Sequence, residues 1–341
     1  MRLKTLLIAT AWVAAVATAA IALVVQPFVT PISFIPPKVD AARLLAHVKR
    51  LSVDFYPRSF DQAGNTERAA SYILDEFKAS GADVDVQNFT IQGKTFKNII
   101  ARFGPKAGPL LVIGAHYDSH GHASADSANA PNYSLATHTP GADDNASGVA
   151  GLIELAHLLG RAAPSQSIEL VAYALEEPPY FRTENMGSAW HARSLTAAKR
   201  EVRLMLSLEM IGYFSDAPGS QAYPVAGMQH LYSDRGNFVA LVGKLGSFSA
   251  MREVKALMSG AMDLPVYSIN APPQLQGIDF SDHQSYWHED IPAIMVTDTA
   301  FLRNTNYHLP GDTYDKLDYH RMAKVVQAVY AIASMNAELA K

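Results

Sequence analysis

The sequence predicts an α/β protein: a central mixed, mostly parallel β-sheet flanked by helices on both faces, preceded by one N-terminal hydrophobic helix. Three observations predict it. Strand-like apolar runs alternate with helix-like stretches along most of the chain, the order that builds a sheet with helical crossovers. The runs "PLLVIGAHYD", "SIELVAYALEE" and "VRLMLSLEMIGYF" are apolar almost throughout, as strands covered on both faces are. Histidine and carboxylate residues gather where these runs end, and open α/β sheets bind ligands beyond the carboxyl ends of their strands.

In chain order, "DAARLLAHVKRLS" has helical spacing, and "NTERAASYILDEFKASGA" is a stronger helix that Asn65 or Thr66 can cap and Gly81 can end. "DVDVQNFTI", "KNIIARF" and "PLLVIGAHYD" read as strands. "ASGVAGLIELAHLLG" reads as helix, "SIELVAYALEE" as strand, "GSAWHARSLT" as helix and "VRLMLSLEMIGYF" as strand. "GNFVALVGKLG" and "AMREVKALMSGA" have helical spacing, "IPAIMVTDTA" is a strand, and "YDKLDYHRMAKVVQAVYAIASMNAEL" is a long closing helix.

The N-terminus carries Arg2 and Lys4 before an uncharged run, Thr5 to Val25. That run matches one bilayer crossing of a helix. The basic flank keeps the first residues cytoplasmic and exports the rest. The expectation is a membrane anchor that leaves the soluble domain outside the cytoplasm, on the periplasmic side of the inner membrane. The competing reading is a cleaved signal peptide, with "ATAA" offering small residues for cleavage and a secreted or periplasmic product. Signal cores usually run about 7–15 residues, and this one is longer. A Pro-rich stretch follows, "QPFVTPISFIPPK", unsuited to helix. The expected organisation is 1–26 anchor or signal, 27–39 linker and 40–341 the main folded domain.

Composition excludes several classes. Net charge is −4, which suggests no broad basic surface for nucleic acid. There is no cysteine, so disulfide scaffolds and thiolate metal sites are out, and any metal must sit on His, Asp and Glu.

Five elements point such groups at one rim. One strand delivers His116 and Asp118, a second Glu176 and Glu177, a third Glu209. "PGADDNASGVA" places Asp143 and Asp144 at a helix start, and His308 lies in the loop after the last strand. Two histidines and several carboxylates make an oxygen/nitrogen site for zinc, with manganese or cobalt as substitutes. A carboxylate has two oxygens, so one of the adjacent aspartates can bridge a pair of ions held about 3.5–4 Å apart. The small residues after it let backbone pack close beneath the site.

"GAHYDS", "PGADDNASGVA", "ALEE", "LEMIGY", "SDH" and "YHLPGDT" together resemble the co-catalytic zinc exopeptidases that include secreted bacterial aminopeptidases and glutamate carboxypeptidase. The motifs follow the family's order over residues 110–312. The resemblance implies two Zn2+ ions and peptide substrates. It assigns His116 and Glu209 to one ion, His308 and Glu177 to the other, and Asp144 as the bridge. Glu176 would be the general base, and Asp118 would hydrogen-bond His116 and fix its tautomer. Two departures stand out. Many members carry Asp where this chain has Glu209, and a Tyr that some aminopeptidases place before "SDH" is Ile278 here. The loops "HGHASADSANAPNYSLATHT" and "PPYFRTENM" are expected to wall the pocket.

Other residues have blander readings. His120, His122 and His138 read as loop residues. Asp143 reads as an orienting group or as the ligand in place of Asp144. Asp282 and His283 read as structural, and Tyr180, Phe181, Tyr286 and Trp287 as core or pocket wall. Asn88, Asn132 and Asn145 match the glycosylation pattern. Asn145 falls inside the site, where a glycan would block access, so all three are discounted. The functional expectation is an aminopeptidase. A glutaminyl cyclase on the same scaffold and a non-catalytic peptidase-like ectodomain are the competing readings.

Overall fold

The most apolar strand runs lie side by side in the middle of one sheet, where water is excluded from both faces. The computed structural model describes residues 2–121 and 138–335. Among them, eight strands form a single sheet: β1 (Asp83–Ile91), β2 (Lys94–Phe103), β3 (Leu110–His116), β4 (Ser167–Tyr173), β5 (Val202–Glu209), β6 (Val239–Lys244), β7 (Val266–Ala271) and β8 (Ala293–Thr297). Their order is β1-β2-β4-β3-β5-β8-β6-β7. β4, β3, β5 and β8 are parallel neighbours, and β6 and β7 pair in parallel. The β1–β2 hairpin, the β2–β4 pair and the β8–β6 pair are antiparallel. The mixed, mostly parallel sheet is therefore the one expected.

Helices cover both faces. On one side lie α2 (Ala41–Lys49), α3 (Ala63–Ala79), α4 (Gly148–Ala162), α6 (Phe248–Ala261) and α8 (Tyr319–Ser334), whose apolar faces join the larger core. On the other, α5 (Gly187–Ala197) and α7 (His283–His288) close a smaller one. Leu111, Val112 and Ile113 of β3 are fully buried. Each such aliphatic side chain contributes about 1.5–3 kcal/mol. The β3–β4 crossover runs through α4 on one face, and the β4–β5 crossover returns past β3 through α5 on the other, so the crevice at the carboxyl ends of β3 and β4 is the topological switch point of the sheet.

Several elements differ from the sequence expectation. The stretch around "FVALVGK" is a strand, β6, not a helix. Its apolar residues fit a helical stripe, but between β7 and β8 both faces are covered, and burial on two faces overrides spacing. A Cβ at Gly243 would come 2.8 Å from Met251 Cε, so the strand also packs closely under α6. β7 was hidden because polar Ser268 and Asn270 interrupt it, and α7 is too short to show a period. α3 begins at Ala63 without a side-chain cap, and Thr66 instead bonds back to Gln62. α8 begins at Tyr319, where Asp318 accepts the Arg321 N–H at 3.0 Å; the last residues of the expected helix, 336–339, lie outside the described residues.

α1 (Arg2–Val25) is helical as its composition implies. The expected membrane-spanning anchor finds no support, because among the described residues no helix is long and apolar enough to cross a membrane. The end of α1 is held by the domain. Lys255 Nζ donates to the carbonyls of Val25 at 3.1 Å and Gln26 at 2.8 Å, and Ser268 Oγ donates to Val25 at 2.8 Å. The Pro-rich stretch then runs along α6, where Ile32 N–H bonds Ala256 and Phe34 N–H bonds Gly260.

Candidate metal centre

His116 is the last residue of β3, fully buried, and its ring faces the crevice. Asp118 follows two residues on. Asp144 sits in a distorted turn, Ala142–Ser147, that precedes α4, and its backbone is not helical (φ −103°, ψ 90°). That turn is pinned from below. Asn145 Nδ2 donates to Leu208 O at 2.8 Å, and Asn145 Oδ1 accepts the N–H groups of Gly148 and Met210, both at 3.1 Å. A Cβ on Gly148 would lie 2.5 Å from Leu208 O, so the glycine there lets α4 start against β5. Asn145 is itself fully buried, in keeping with its rejection as a glycosylation site.

Two clusters meet at Asp144. In the first, His116 Nε2 lies 3.4 Å from Asp144 Oδ1 and 3.3 Å from Glu209 Oε2. In the second, His308 Nε2 lies 3.1 Å from Asp144 Oδ2 and 3.3 Å from Glu177 Oε2. Asp144 thus offers one oxygen to each side. Glu176 Oε2 stands 3.8 Å from His116 Nε2, on the first side. The five expected metal-ligating residues and the expected base are all brought together.

The support beneath them is partly as expected. His116 Nδ1 is 3.2 Å from the backbone carbonyl of Asp118 and 3.5 Å from its carboxylate, so the backbone supplies the closer contact. The Asp118 carboxylate instead accepts the N–H of Glu176 at 3.1 Å and of Glu177 at 3.0 Å, which fixes both glutamates. Asp143 turns away from the clusters and accepts from Gly212 N–H and Asn304 Nδ2, the orienting role. Asp282 and His283 are fully buried at the start of α7, where His283 Nε2 donates to Ile278 O at 2.7 Å.

Three contributors were not legible in the sequence. Asp312 accepts the N–H groups of Asp143 and Asp144 through its carboxylate, and burial followed by Asp143 pushes it up to about 8. Arg58 is fully buried and donates to four carbonyls, those of Leu51, Tyr117, Pro140 and Gly141, tying the α2–α3 loop to both motif loops. His120, read as a loop residue, is buried with Nδ1 3.3 Å from Glu177 Oε2 and its ring stacked on His308. Only its place four residues after His116 could have hinted at it. His122 and Asn132 lie outside the described residues.

The electrostatics suit cations. Asp118, Asp144, Glu176, Glu177 and Glu209 are all buried in one crevice. Burial, reinforced by Glu209 and Glu177 against the opposing His116, raises Glu176 well above the usual carboxylate range. Burial also raises Glu209. Burial opposes charge on His308, yet Glu177 and Asp144 outweigh it and lift the imidazole to about 10. His116 Nε2 and Glu177 Oε1 are buried atoms without a hydrogen-bond partner. Uncompensated buried charge is costly. An excess of carboxylates with orphaned donor atoms at its centre fits divalent cations, and the nitrogen/oxygen donor set fits zinc.

Beside Glu209 opens a cavity of about 720 Å³, counting its solvent mouth, with walls that include Tyr267, Ile278, Phe280, Met295 and Phe301. Arg182, from the loop after Glu177, pairs with Asp279 and stacks on Phe280 near its edge.

An α/β sheet with two acid–histidine clusters sharing one carboxylate at its switch point defines the framework of a metal-dependent hydrolase. Residues 98–333 match the model of peptidase family M28, and the chain belongs to that family. It is 51% identical over 307 residues to the Escherichia coli protein YfbL, an alignment covering 90% of this chain and 92% of that one. It is 27% identical to a probable leucine aminopeptidase of Arthroderma otae, covering 76% of this chain and 63% of the relative. Among solved structures, a glutaminyl cyclase of Bacteroides thetaiotaomicron shares the fold with a TM-score of 0.63 at 19% identity, covering 88% of this chain and 99% of that one.

Proposed function

We propose that this protein is a zinc-dependent aminopeptidase that removes N-terminal residues with bulky apolar side chains. The observation that carries the proposal is the two-sided placement of Asp144, with one oxygen toward His116 and Glu209 and the other toward His308 and Glu177. His116, Glu209, Asp144, His308 and Glu177 would hold a pair of zinc ions, which would supply a Lewis acid for the scissile carbonyl and lower the pKa of water. The chain's own residues do the rest. Glu176, raised by its buried surroundings, takes a proton from the attacking water and returns it to the leaving amine. Asp118 holds the Glu176 backbone so that its carboxylate keeps its reach. The aromatic cavity beside Glu209 receives the side chain of the first residue and excludes water from the reacting bond. Similarity to a probable leucine aminopeptidase supports the choice of the N-terminus.

The competing reading is a glutaminyl cyclase, which would need one zinc and would release ammonia. The completeness of both clusters favours the peptidase. The test is metal content of the purified chain together with cleavage of aminoacyl-anilides and N-blocked peptides. Two equivalents and cleavage confined to free-amine substrates support the aminopeptidase. One equivalent with ammonia release from N-terminal glutamine supports the cyclase. A metal-free, inactive protein overturns both and revives a non-catalytic ectodomain.

A further inference from the structure

We infer that His120 is an additional protein ligand of the ion held by His308 and Glu177, so that the two metal positions differ in ligand number and in affinity. The inference rests on the metallopeptidase reading above but goes beyond the ligand set that reading contains. Its basis is geometric. His120 Nδ1 and His308 Nε2 both lie 3.3 Å from the same oxygen, Glu177 Oε2. The two imidazoles are stacked, with centroids 4.0 Å apart and planes inclined by 17°. Nitrogen, oxygen and nitrogen therefore converge on one point from three residues.

Length does not set this contact apart, since His191 and Glu169 pair at 3.2 Å far from the crevice. What sets it apart is that two imidazole nitrogens converge on one carboxylate oxygen. Two donors bound tetrahedrally to one zinc at about 2.05 Å stand roughly 3.3 Å apart. The contacts of His120 and His308 with Glu177 have that separation, and so does that of His116 with Glu209, at 3.3 Å. His120 thus stands toward its centre as the ligands expected from the sequence stand toward theirs. It is also held firmly: its carbonyl accepts from the Thr139 N–H at 2.8 Å and from the Thr139 hydroxyl at 3.2 Å, and its ring is buried.

The consequence is an asymmetric pair. The His308 side has two imidazoles, Glu177 and one oxygen of Asp144. The His116 side has one imidazole, Glu209 and the other oxygen of Asp144, which leaves it more open, on the side where Glu176 stands. The His308 side is then the tighter position, filled first and emptied last, and the His116 side is the exchangeable one.

The experiment is stepwise metal loading and release on the full chain. Zn2+ removal by a chromophoric chelator is followed in time, and Co2+ titration is followed by visible absorption. Wild type, His120→Ala, His120→Gln and His116→Ala are compared, with thermal melts of the metal-free proteins as the fold control. Wild type is expected to release its ions in two phases. Both His120 variants are expected to speed the slow phase at least tenfold and alter the Co2+ absorption that appears first, while His116→Ala removes the fast phase alone. Two-phase release and a first-equivalent Co2+ spectrum unchanged in both His120 variants would overturn the inference and leave the metallopeptidase reading intact. A wild-type protein that binds no metal would overturn that reading as well.

Discussion

The carboxylate of Asp118 accepts the backbone N–H of Glu177 at 3.0 Å, and through its other oxygen it accepts the neighbouring N–H of Glu176 at 3.1 Å. One residue beyond β3 thus sets the position of two glutamates beyond β4. Asp118→Asn would keep the size but leave one of these N–H groups facing an amide. The expected outcome is a 10–100-fold loss in metal affinity or activity, the usual effect of disturbing a group that orients a ligand. Chelator competition and kcat/KM on the same preparation check it.

Glu176 stands 3.8 Å from His116 Nε2, beside the first cluster but a member of neither. Glu176→Gln is expected to keep the wild-type metal content while kcat falls about 10²–10⁴-fold, the contribution of a positioned general base. Metal analysis beside steady-state kinetics separates this from a ligand role, in which both would fall together.

Gly148 lies where α4 begins against β5. An added Cβ would sit 2.5 Å from both Leu208 O and Asn145 Oδ1, which are the groups that pin the Asp144 turn. Gly148→Ala is expected to destabilise the fold by about 1–3 kcal/mol, as overpacking does. A lowered Tm in the metal-free protein would show it, and an unchanged Tm would mean that α4 can shift without cost.

Ser281 Oγ donates to Glu209 Oε2 at 2.7 Å, and Ser207 Oγ lies 2.8 Å from Ser281 Oγ. Ser281→Ala removes the donor that orients Glu209. It is expected to weaken the ion on the His116 side about tenfold and to leave the slow phase of Zn2+ release unchanged. Loss of both phases together would contradict the separate support of the two sides.

Lys255 is buried at the end of α1, and that burial lowers it to about 8. Its unfolded value is near 10.4. Between these values the unfolded chain holds the proton and the folded chain does not, so the lysine's contribution to stability rises with pH across that window. The excursion is at most about 3 kcal/mol. Lys255→Met should abolish it. Denaturant unfolding at pH 7.5 and 9.5 for both proteins checks the difference, and an identical pH response in wild type and variant would exclude the effect.

Much of the chemistry could be read from residue order because it depends on covalent neighbourhood. His116 and Asp118 end an apolar run, Glu176 and Glu177 end another, and Asp144 follows a Pro-Gly turn. Strands buried on both faces announce themselves by composition, and polar residues at their ends stand at the sheet's rim whatever the details. β6 and β7 escaped for the converse reason: their burial comes from neighbours remote in sequence, so local spacing misled in one case and was silent in the other. Asp312 and Arg58 act through backbone groups, most of them on segments far along the chain, and no local pattern records such contacts. His120 belongs with them. Four residues from His116, it faces His308 and Glu177 rather than the cluster beside it, because the turn after β3 directs it to the opposite side of Asp144. Which residues could ligate was thus a property of the chain's composition and order. How they gather into two clusters depends on packing, because separate strands must bring their ends together; which residue joins which cluster was implied by the family resemblance for all but His120.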